Sequence, residues 1–121
     1  MDFLTLEDVP EVKFTKNLGS GLESGNCQIA QIGKFVMCRI SCKTSTAMKS
    51  WTSRVIGKLN CTLPFQVSVL TCAYNNRGLL RYEIDSNGNV KLIKDGGATD
   101  VAADDITAIT VKFLVDSVES N

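Results

Sequence analysis

The sequence predicts an all-β fold, an antiparallel β-sandwich of the jelly-roll kind, and three observations lead to it. Apolar and polar residues alternate with a period of two in one segment after another. Turn signals rich in glycine and asparagine separate these segments at short intervals. No ten-residue stretch carries the apolar stripe of an amphipathic helix. We therefore expect two packed antiparallel sheets rather than strands that alternate with helices.

Size and composition fit one packed domain. The 121 residues suffice for a single core, and 44% hydrophobic with 21% charged residues is ordinary for a globular protein. Lys plus Arg and Asp plus Glu both number 13, so no net field draws the chain to nucleic acid. No apolar run approaches the roughly 20 residues that cross a bilayer, and the acidic start lacks the basic region of a signal peptide. We expect neither nucleic-acid binding nor membrane insertion.

The alternation becomes regular only after residue 25. Residues 1–25 include a glycine- and serine-rich stretch at 19–25 and are predicted to form an arm or linker. Within this arm, Val12 and Phe14 alternate over one short strand. Residues 26–121 are predicted to form the sandwich domain.

The first hairpin is predicted at Gly33. Segments 27–32 and 35–43 alternate on either side of it, as two antiparallel strands joined by a tight turn do. Residues 44–50 lack a period and predict a loop, after which 51–59 resumes an extended pattern. The second strand is predicted to turn one face to the core, formed by Val36, Cys38, Ile40 and Cys42.

The second half of the chain predicts a meander and a closing strand. The meander comprises 66–74, 79–85 and 90–94, and the Asn87-Gly88 pair is a strong hairpin signal between its last two strands. Segment 106–115 closes the domain. Its predicted inward face consists of Thr107, Ile109, Val111, Phe113 and Val115.

Some strands are apolar on both faces. Leu70, Cys72 and Tyr74 lie opposite the face of Val67 and Val69, and Phe35 and Met37 lie opposite a core face. In an antiparallel sheet with one solvent-exposed face, apolar residues are not expected on that face. Another sheet, the arm or a second subunit must therefore cover these residues. We expect a homo-oligomer, with cover from within the chain as the alternative.

The chain contains no histidine. This absence excludes Ser-His-Asp and Cys-His catalysis and most zinc sites. The five cysteines are an odd set, which predicts reduced thiols. Cys38 and Cys42 lie about 13 Å apart along one strand, too far for a disulfide, whereas Cys61 and Cys72 could meet across strands. We predict no catalytic residue, no metal and no cofactor.

Acidic residues offer two further sites, each with a simpler explanation. Residues 85–89, Asp-Ser-Asn-Gly-Asn, have some of the alternating oxygen ligands of a calcium loop but lack the closing glutamate, so a hairpin turn is favoured. Asp104 and Asp105, with Asp95 and Asp100 nearby, could supply the two carboxylates of a glycosidase. Carboxylates adjacent in a loop are more often solvated turn formers, and this interpretation is favoured.

The candidate binding residues lie in and near loops. Trp51, together with Tyr74 and Tyr82, could stack on a sugar face, and Asn75, Asn76 and Arg77 could supply hydrogen bonds from a loop tip. The alternative is that the aromatic side chains fill the core or a subunit interface.

Several short motifs follow one another in a fixed order. They are the Gly33 turn, Trp51-Thr52-Ser53 followed by Ile56-Gly57, Leu63-Pro64, and the runs 78–84 and 87–92. With this order, the stretch from residue 29 onward resembles the C-terminal head domains of tailed-phage tail-fibre, baseplate receptor-binding and head-fibre proteins.

The resemblance implies a role rather than a set of site residues. Such heads are typically trimeric jelly rolls on a fibrous stalk, made in the bacterial host cytoplasm and carried on the virion as tail or capsid appendages. They bind host-surface saccharides or act as structural caps. The resemblance therefore implies a homotrimer, with residues 1–25 as a stalk end or trimerising arm. Glycan binding is the first functional hypothesis, a purely structural trimerisation or capping module is the second, and a small hydrolase that uses aspartates is the third.

Overall fold

The computed structural model describes residues 9–74, 78–96 and 100–119. Ten β-strands lie within these ranges. They are β1 (Phe14–Lys16), β2 (Leu22–Ile32), β3 (Phe35–Thr44), β4 (Thr52–Leu59), β5 (Cys61–Thr62), β6 (Val67–Cys72), β7 (Leu79–Ile84), β8 (Asn89–Lys94), β9 (Ile106–Leu114) and β10 (Ser117–Val118). Within the same ranges, no helix is long and apolar enough to cross a membrane.

The strands form two main antiparallel sheets that enclose one core. The five-stranded sheet has the order β1-β4-β8-β7-β6, and the three-stranded sheet has the order β2-β3-β9. β5 and β10 pair in a small ribbon. The predicted hairpin at Gly33 is β2–β3, and the predicted meander is β6–β7–β8. The all-β antiparallel fold is confirmed, and the jelly-roll description of its connections stays a prediction.

The core lies where the alternation predicted it. Val36, Cys38 and Ile40 are fully buried on β3, whereas Phe35 and Met37 on the same strand are exposed. This is expected because successive side chains of a strand point to opposite faces of the sheet. The opposite sheet completes the core with the buried side chains of Ile56, Leu59, Leu80, Tyr82, Ile84, Val90 and Leu92.

One polar network crosses this core. The hydroxyl of Tyr82, on β7, hydrogen-bonds the hydroxyl of Thr107, on β9, and also donates to the Thr107 carbonyl oxygen at 3.2 Å. The Cys42 thiol lies 3.3 Å from the Tyr82 hydroxyl and 3.4 Å from that of Thr107. Burial is the main cause that raises the pKa of Tyr82 above its usual value, so the phenol stays neutral. A neutral, fully bonded hydroxyl links the two sheets.

The N-terminal part of the domain corrects one prediction. The stretch 19–25, expected to be a loop, supplies the start of β2 from Leu22 onward. Gly25 is buried there. A Cβ at this position would come within 2.8 Å of Leu18 Cδ2 and 2.9 Å of Ile56 Cγ2. The glycine therefore permits close packing between the sheets. The predicted boundary after residue 25 falls inside β2, and β1 is paired with β4.

The two sheets approach each other along β6 and β9. The Tyr74 N–H donates to the Ile106 carbonyl oxygen at 2.9 Å, and the Thr71 hydroxyl donates to that of Ala108 at 3.2 Å. The connections β3–β4, β6–β7 and β8–β9 all lie at one end of the sandwich, which we call the loop end. Of the candidate binding residues, Trp51 and Tyr74 belong to these connections.

Candidate functional site

Trp51 is the most exposed large feature of the β3–β4 connection. Its side chain is 80% exposed, and its φ of 66° places a bulky residue in the left-handed region that favours glycine. The indole lies against Gly96 of the β8–β9 connection, where a Cβ would come within 2.6 Å of Trp51 Cζ2. The backbone of one loop thus supports the aromatic ring of another. The indole therefore presents an aromatic surface to solvent while one edge of the ring lies against Gly96.

Arg54 holds the chain that presents Trp51. Its guanidinium donates four hydrogen bonds of 2.8–3.0 Å, to the Gly21 carbonyl, to the carbonyl and hydroxyl oxygens of Thr46, and to the Ala47 carbonyl. A planar fork of donors suits this arrangement, which an ammonium group could not reproduce. Sequence reasoning missed this role, because an arginine on a half-exposed strand position carries no local signal of its partners.

The β3–β4 and β8–β9 connections are bonded to each other. Met48 and Val101, both fully buried, form an isolated antiparallel bridge with N–H to O distances of 2.7 and 2.9 Å. Closer to the sheet, Thr44 N–H donates to the Asp105 carbonyl at 2.9 Å, and Asp104 N–H donates to the Thr44 carbonyl at 2.8 Å. Trp51 and Gly96 therefore belong to two loops that are fixed to one another.

Tyr74 lies at the same end of the five-stranded sheet and is 82% exposed, whereas Tyr82 is 1% exposed in the core, so the prediction that Tyr82 could stack on a sugar is wrong. Trp51 precedes β4 and Tyr74 follows β6, with β8 and β7 between these strands. Three inter-strand spacings of about 4.8 Å separate them, or about 14 Å in all. Asn75, Asn76 and Arg77, the other predicted binding residues, lie outside the described residues, and their role stays a prediction.

The predicted carboxylates are directed to structural partners. Asp105 is 1% exposed, and its Oδ1 accepts the Ile106 N–H at 2.9 Å. Asp104 is exposed and has a φ of 58° in the connection before β9. Asp95 is engaged by Arg81, whose Nε lies 2.8 Å from the Asp95 carboxylate. Asp104 is therefore an exposed turn residue, as the simpler interpretation predicts, whereas Asp105 is buried rather than solvated and Asp95 is held in an ion pair.

Asp85 organises the β7–β8 hairpin turn. Its carboxylate accepts the N–H groups of Asn87 and Asn89 and the Asn89 side-chain amide at 2.9–3.0 Å, and Lys91 Nζ lies 3.6 Å away. Burial opposes ionisation of Asp85, but these hydrogen bonds outweigh it and lower its pKa below the usual value. The hairpin interpretation is confirmed. In the part of the chain that the structure describes, no cluster of three or more His, Cys, Asp or Glu could hold a metal.

The thiols are free and mostly buried. Cys61 is buried and Cys72 exposed, so the pairing left open for these two does not occur. Burial raises the pKa of Cys61 to about 11. A hydrogen bond with Cys27, followed by burial, raises the pKa of Cys38 well above its usual value. Such protonated, buried thiols behave as small apolar core side chains.

A depression lies on the outer face of the three-stranded sheet, beside the loop end. It has a volume of about 180 Å³ and is lined mainly by small polar residues of β2 and β3, including Ser24, Asn26, Ser41 and Lys43. Lys43 is held by Glu23 at 3.1 Å. Hydroxyl, amide and ammonium groups of this kind can hydrogen-bond a hydroxyl-rich ligand. The sequence did not predict this surface, because its residues meet only through the β2–β3 register.

Comparison with solved structures places the fold. The chain is similar to the head domain of the lactococcal phage bIL170, whose structure was determined to ask whether the receptor-binding domains of lactococcal phages share a common fold. The TM-score is 0.59 at 18% sequence identity, and the match covers 86% of this chain and all of the other. This chain has the fold of that head domain. The family models and the curated proteins contain no match.

The shared fold agrees with the resemblance derived from the motifs. At 18% identity it carries the architecture and not the positions of a site. The candidate site therefore rests on this chain's own residues, among which Trp51 lies exposed at the loop end against the backbone of Gly96.

Proposed function

We propose that this chain is a non-enzymatic head domain of a phage or prophage fibre, trimeric and jelly-roll-like, that binds a host-surface glycan through its loop end. The fold it shares with a phage receptor-binding head domain is the observation that carries this proposal. On this view the chain is made in the bacterial host cytoplasm and is part of the virion, as a tail or capsid appendage.

The loop end supports a saccharide as the ligand. A solvent-facing indole offers apolar area to the C–H face of a sugar ring, and Trp51 loses little further freedom on binding because Gly96 and the Arg54-held loop already fix it. Tyr74, about 14 Å away across the sheet, would contact a second unit of an oligosaccharide. Binding at separated points favours a polymer over a monosaccharide.

Glycan binding is tested with the full chain on an array of bacterial surface polysaccharides and teichoic acids. We expect hits that Trp51→Ala weakens at least tenfold and Trp51→Phe weakens less, since the phenyl ring keeps part of the stacking area. Thermal unfolding of each variant checks that the fold is retained. Equal binding by the wild type and Trp51→Ala would contradict the role of Trp51.

The second candidate function is a purely structural module that trimerises and caps an appendage. The exposed apolar residues on the outer faces of both sheets favour it, because such residues suit contacts between subunits. No glycan hit at high protein density, together with a stable trimer, would favour this function over the first. Recovery of the chain from purified particles by mass spectrometry would support the virion location common to both.

A further inference from the structure

The two sheets are hydrogen-bonded along β6 and β9 only near the loop end. There the Tyr74 N–H donates to the Ile106 carbonyl oxygen at 2.9 Å, and the Thr71 hydroxyl donates to the Ala108 carbonyl oxygen at 3.2 Å. Further from the loop end, no hydrogen bond among the described residues joins the first half of β6 to β9. The smaller sheet has three strands and the larger one five, so the sandwich opens on this side.

The open side exposes the backbone edge of β9. In an antiparallel pair, alternate residues direct their N–H and C=O groups to the partner strand, and the residues between them direct theirs away. The carbonyl oxygens of Ile106 and Ala108 face β6. Thr110, Lys112 and Leu114 follow at the same spacing of two residues, so their backbone groups also point away from β3. No hydrogen bond within the described part of the chain reaches them from that side, and such a row of unpaired groups can accept another strand.

An apolar groove lies beside this free edge. It has a volume of about 260 Å³, and we call it the edge groove. Phe65, in the connection before β6, is 70% exposed, and Leu114, at the end of β9, is 59% exposed. The lining consists of Pro64, Phe65, Val67, Lys112, Phe113 and Leu114. An apolar surface therefore adjoins a row of unpaired peptide groups.

We propose that the edge groove binds one extended strand of a different polypeptide, which pairs with β9 as a fourth strand of the three-stranded sheet. A peptide backbone offers N–H and C=O groups at the spacing that Thr110, Lys112 and Leu114 require. Alternate side chains of the added strand point into the groove, where apolar ones match the lining. A folded second copy is a poorer occupant, because a strand that already belongs to a sheet brings its neighbouring strands against the connection that contains Phe65.

The charge of the edge groove indicates what else the strand carries. Among the described residues, Lys112 alone lines the groove with a charged side chain. This side chain is exposed and forms no salt bridge with any residue that the structure describes. Beyond the end of β9, Lys34 and Asp116 carry opposite charges and offset each other. Because complementary charges favour association, the bound strand combines alternating apolar residues with a carboxylate that pairs with Lys112.

Amide hydrogen exchange of the full chain tests whether this edge is free. We expect Val111 and Phe113, which pair with β3, to exchange at least tenfold more slowly than Lys112 and Leu114. Slow exchange at all four positions would mean that the edge is already covered, within the chain or by a second copy, and would overturn the proposal.

Strand binding is tested with a synthetic peptide of alternating valine and threonine that has a glutamate at each end. We expect saturable shifts of the amide signals of residues 110–114 and, at saturation, at least fivefold slower exchange at Lys112 and Leu114. Only one alternate set of N–H groups in a strand faces its partner. N-methylation of the valines or of the threonines should therefore abolish binding for one set and not for the other. Equal effects of the two methylations, or no shifts with the parent peptide, overturn the proposal.

A matched pair of substitutions at residue 112 isolates the backbone contribution. Lys112→Ala and Lys112→Pro both remove the charge, but only proline removes the N–H that points away from β3. An edge strand tolerates proline at such a position because no bond between paired strands is lost. We expect Lys112→Pro to bind the peptide at least tenfold more weakly than Lys112→Ala, with Val111 and Phe113 still protected from exchange. Equal affinities overturn the proposal, and the methylated peptides test it with the unchanged chain if the proline variant does not fold.

The role of the charge has its own test. A peptide with lysine in place of glutamate should bind the wild type at least threefold more weakly, and this difference should disappear in Lys112→Ala. A difference that persists in Lys112→Ala would overturn the pairing of the carboxylate with Lys112. None of these measurements involves a glycan, so failure of glycan binding and failure of strand binding are told apart.

Discussion

The indole of Trp51 lies on the backbone of Gly96, which leaves no room for a side chain at residue 96. A Cβ there would be 2.6 Å from Cζ2 of the ring and 3.2 Å from Cε2 and Cη2. Trp51 follows β3 and precedes β4, whereas Gly96 follows β8, so this contact joins two connections of the loop end. The orientation of the proposed binding surface therefore depends on Gly96, because the ring fits only when residue 96 has no side chain.

Gly96→Ala should displace the indole and change its solvent contact. Trp51 is the only tryptophan of the chain, so intrinsic fluorescence reports on this residue alone. We expect altered quenching by acrylamide and a weaker glycan response than in the wild type. Thr110→Ala, an exposed change on β9, is the matched control and should leave both signals unchanged. An unaltered spectrum in Gly96→Ala would show that the ring does not rest on residue 96.

Arg54→Ala should destabilise the loop end, because four hydrogen bonds to three residues are lost together. We expect a loss of about 1–3 kcal/mol in the free energy of unfolding, measured by urea denaturation. Arg54→Lys should recover only part of it, since an ammonium lacks the planar fork. Lys58→Ala, exposed on the same strand, is the control. Equal stability of Arg54→Ala and Lys58→Ala would contradict the anchoring role.

Tyr82→Phe should destabilise the core, since it removes the hydroxyl that Thr107 and Cys42 contact. Loss of a buried, bonded hydroxyl costs about 1–2 kcal/mol. Thr107→Val and the double variant complete a thermodynamic cycle, and the two single effects should not add, because both remove the same bond. Tyr74→Phe, at an 82% exposed position, should be neutral. Additive losses in the cycle would show that the two hydroxyls act independently.

The buried positions and the main strands could be predicted from the sequence, whereas the contacts between the connections at the loop end could not. Alternation fixes which face of β3 is buried, so Val36, Cys38 and Ile40 were assigned from local pattern alone. The contact of Trp51 with Gly96 joins residues 45 positions apart in sequence, and no period of the chain encodes it. The prediction of a loop at 19–25 was wrong from Leu22 onward, because a glycine such as Gly25 is as typical of a close approach between two sheets as of a loop.

Asp85 should make the stability of the hairpin sensitive to acid. Hydrogen bonds from Asn89 and Asn87 hold its pKa below the usual value despite partial burial. A carboxyl whose pKa is lower in the folded state contributes its full stabilisation above the unfolded pKa, about 4. This contribution is lost as the pH falls from there through the folded pKa. Urea midpoints between pH 6 and pH 2 should fall less steeply in Asp85→Asn than in the wild type, and parallel curves would contradict the assignment.

Two buried glycines should differ in their tolerance of a methyl group. At Gly57, which interrupts the β4–β8 register, a Cβ would lie 2.4 Å from the Thr15 carbonyl oxygen of the paired strand β1. At Gly25 the nearest atoms are the ends of the Leu18 and Ile56 side chains, at 2.8 and 2.9 Å. Side-chain ends can move at a cost of about 1–3 kcal/mol, whereas a paired backbone cannot move without breaking the sheet edge.

Gly57→Ala should therefore lower the free energy of unfolding more than Gly25→Ala. Urea denaturation of both variants measures the difference, and amide exchange at residues 14–16 shows where it arises. Faster exchange on β1 should accompany Gly57→Ala only. The reverse order of stabilities would mean that β1 yields more easily than the core, and that the N-terminal strand is a weakly held edge rather than part of the sheet.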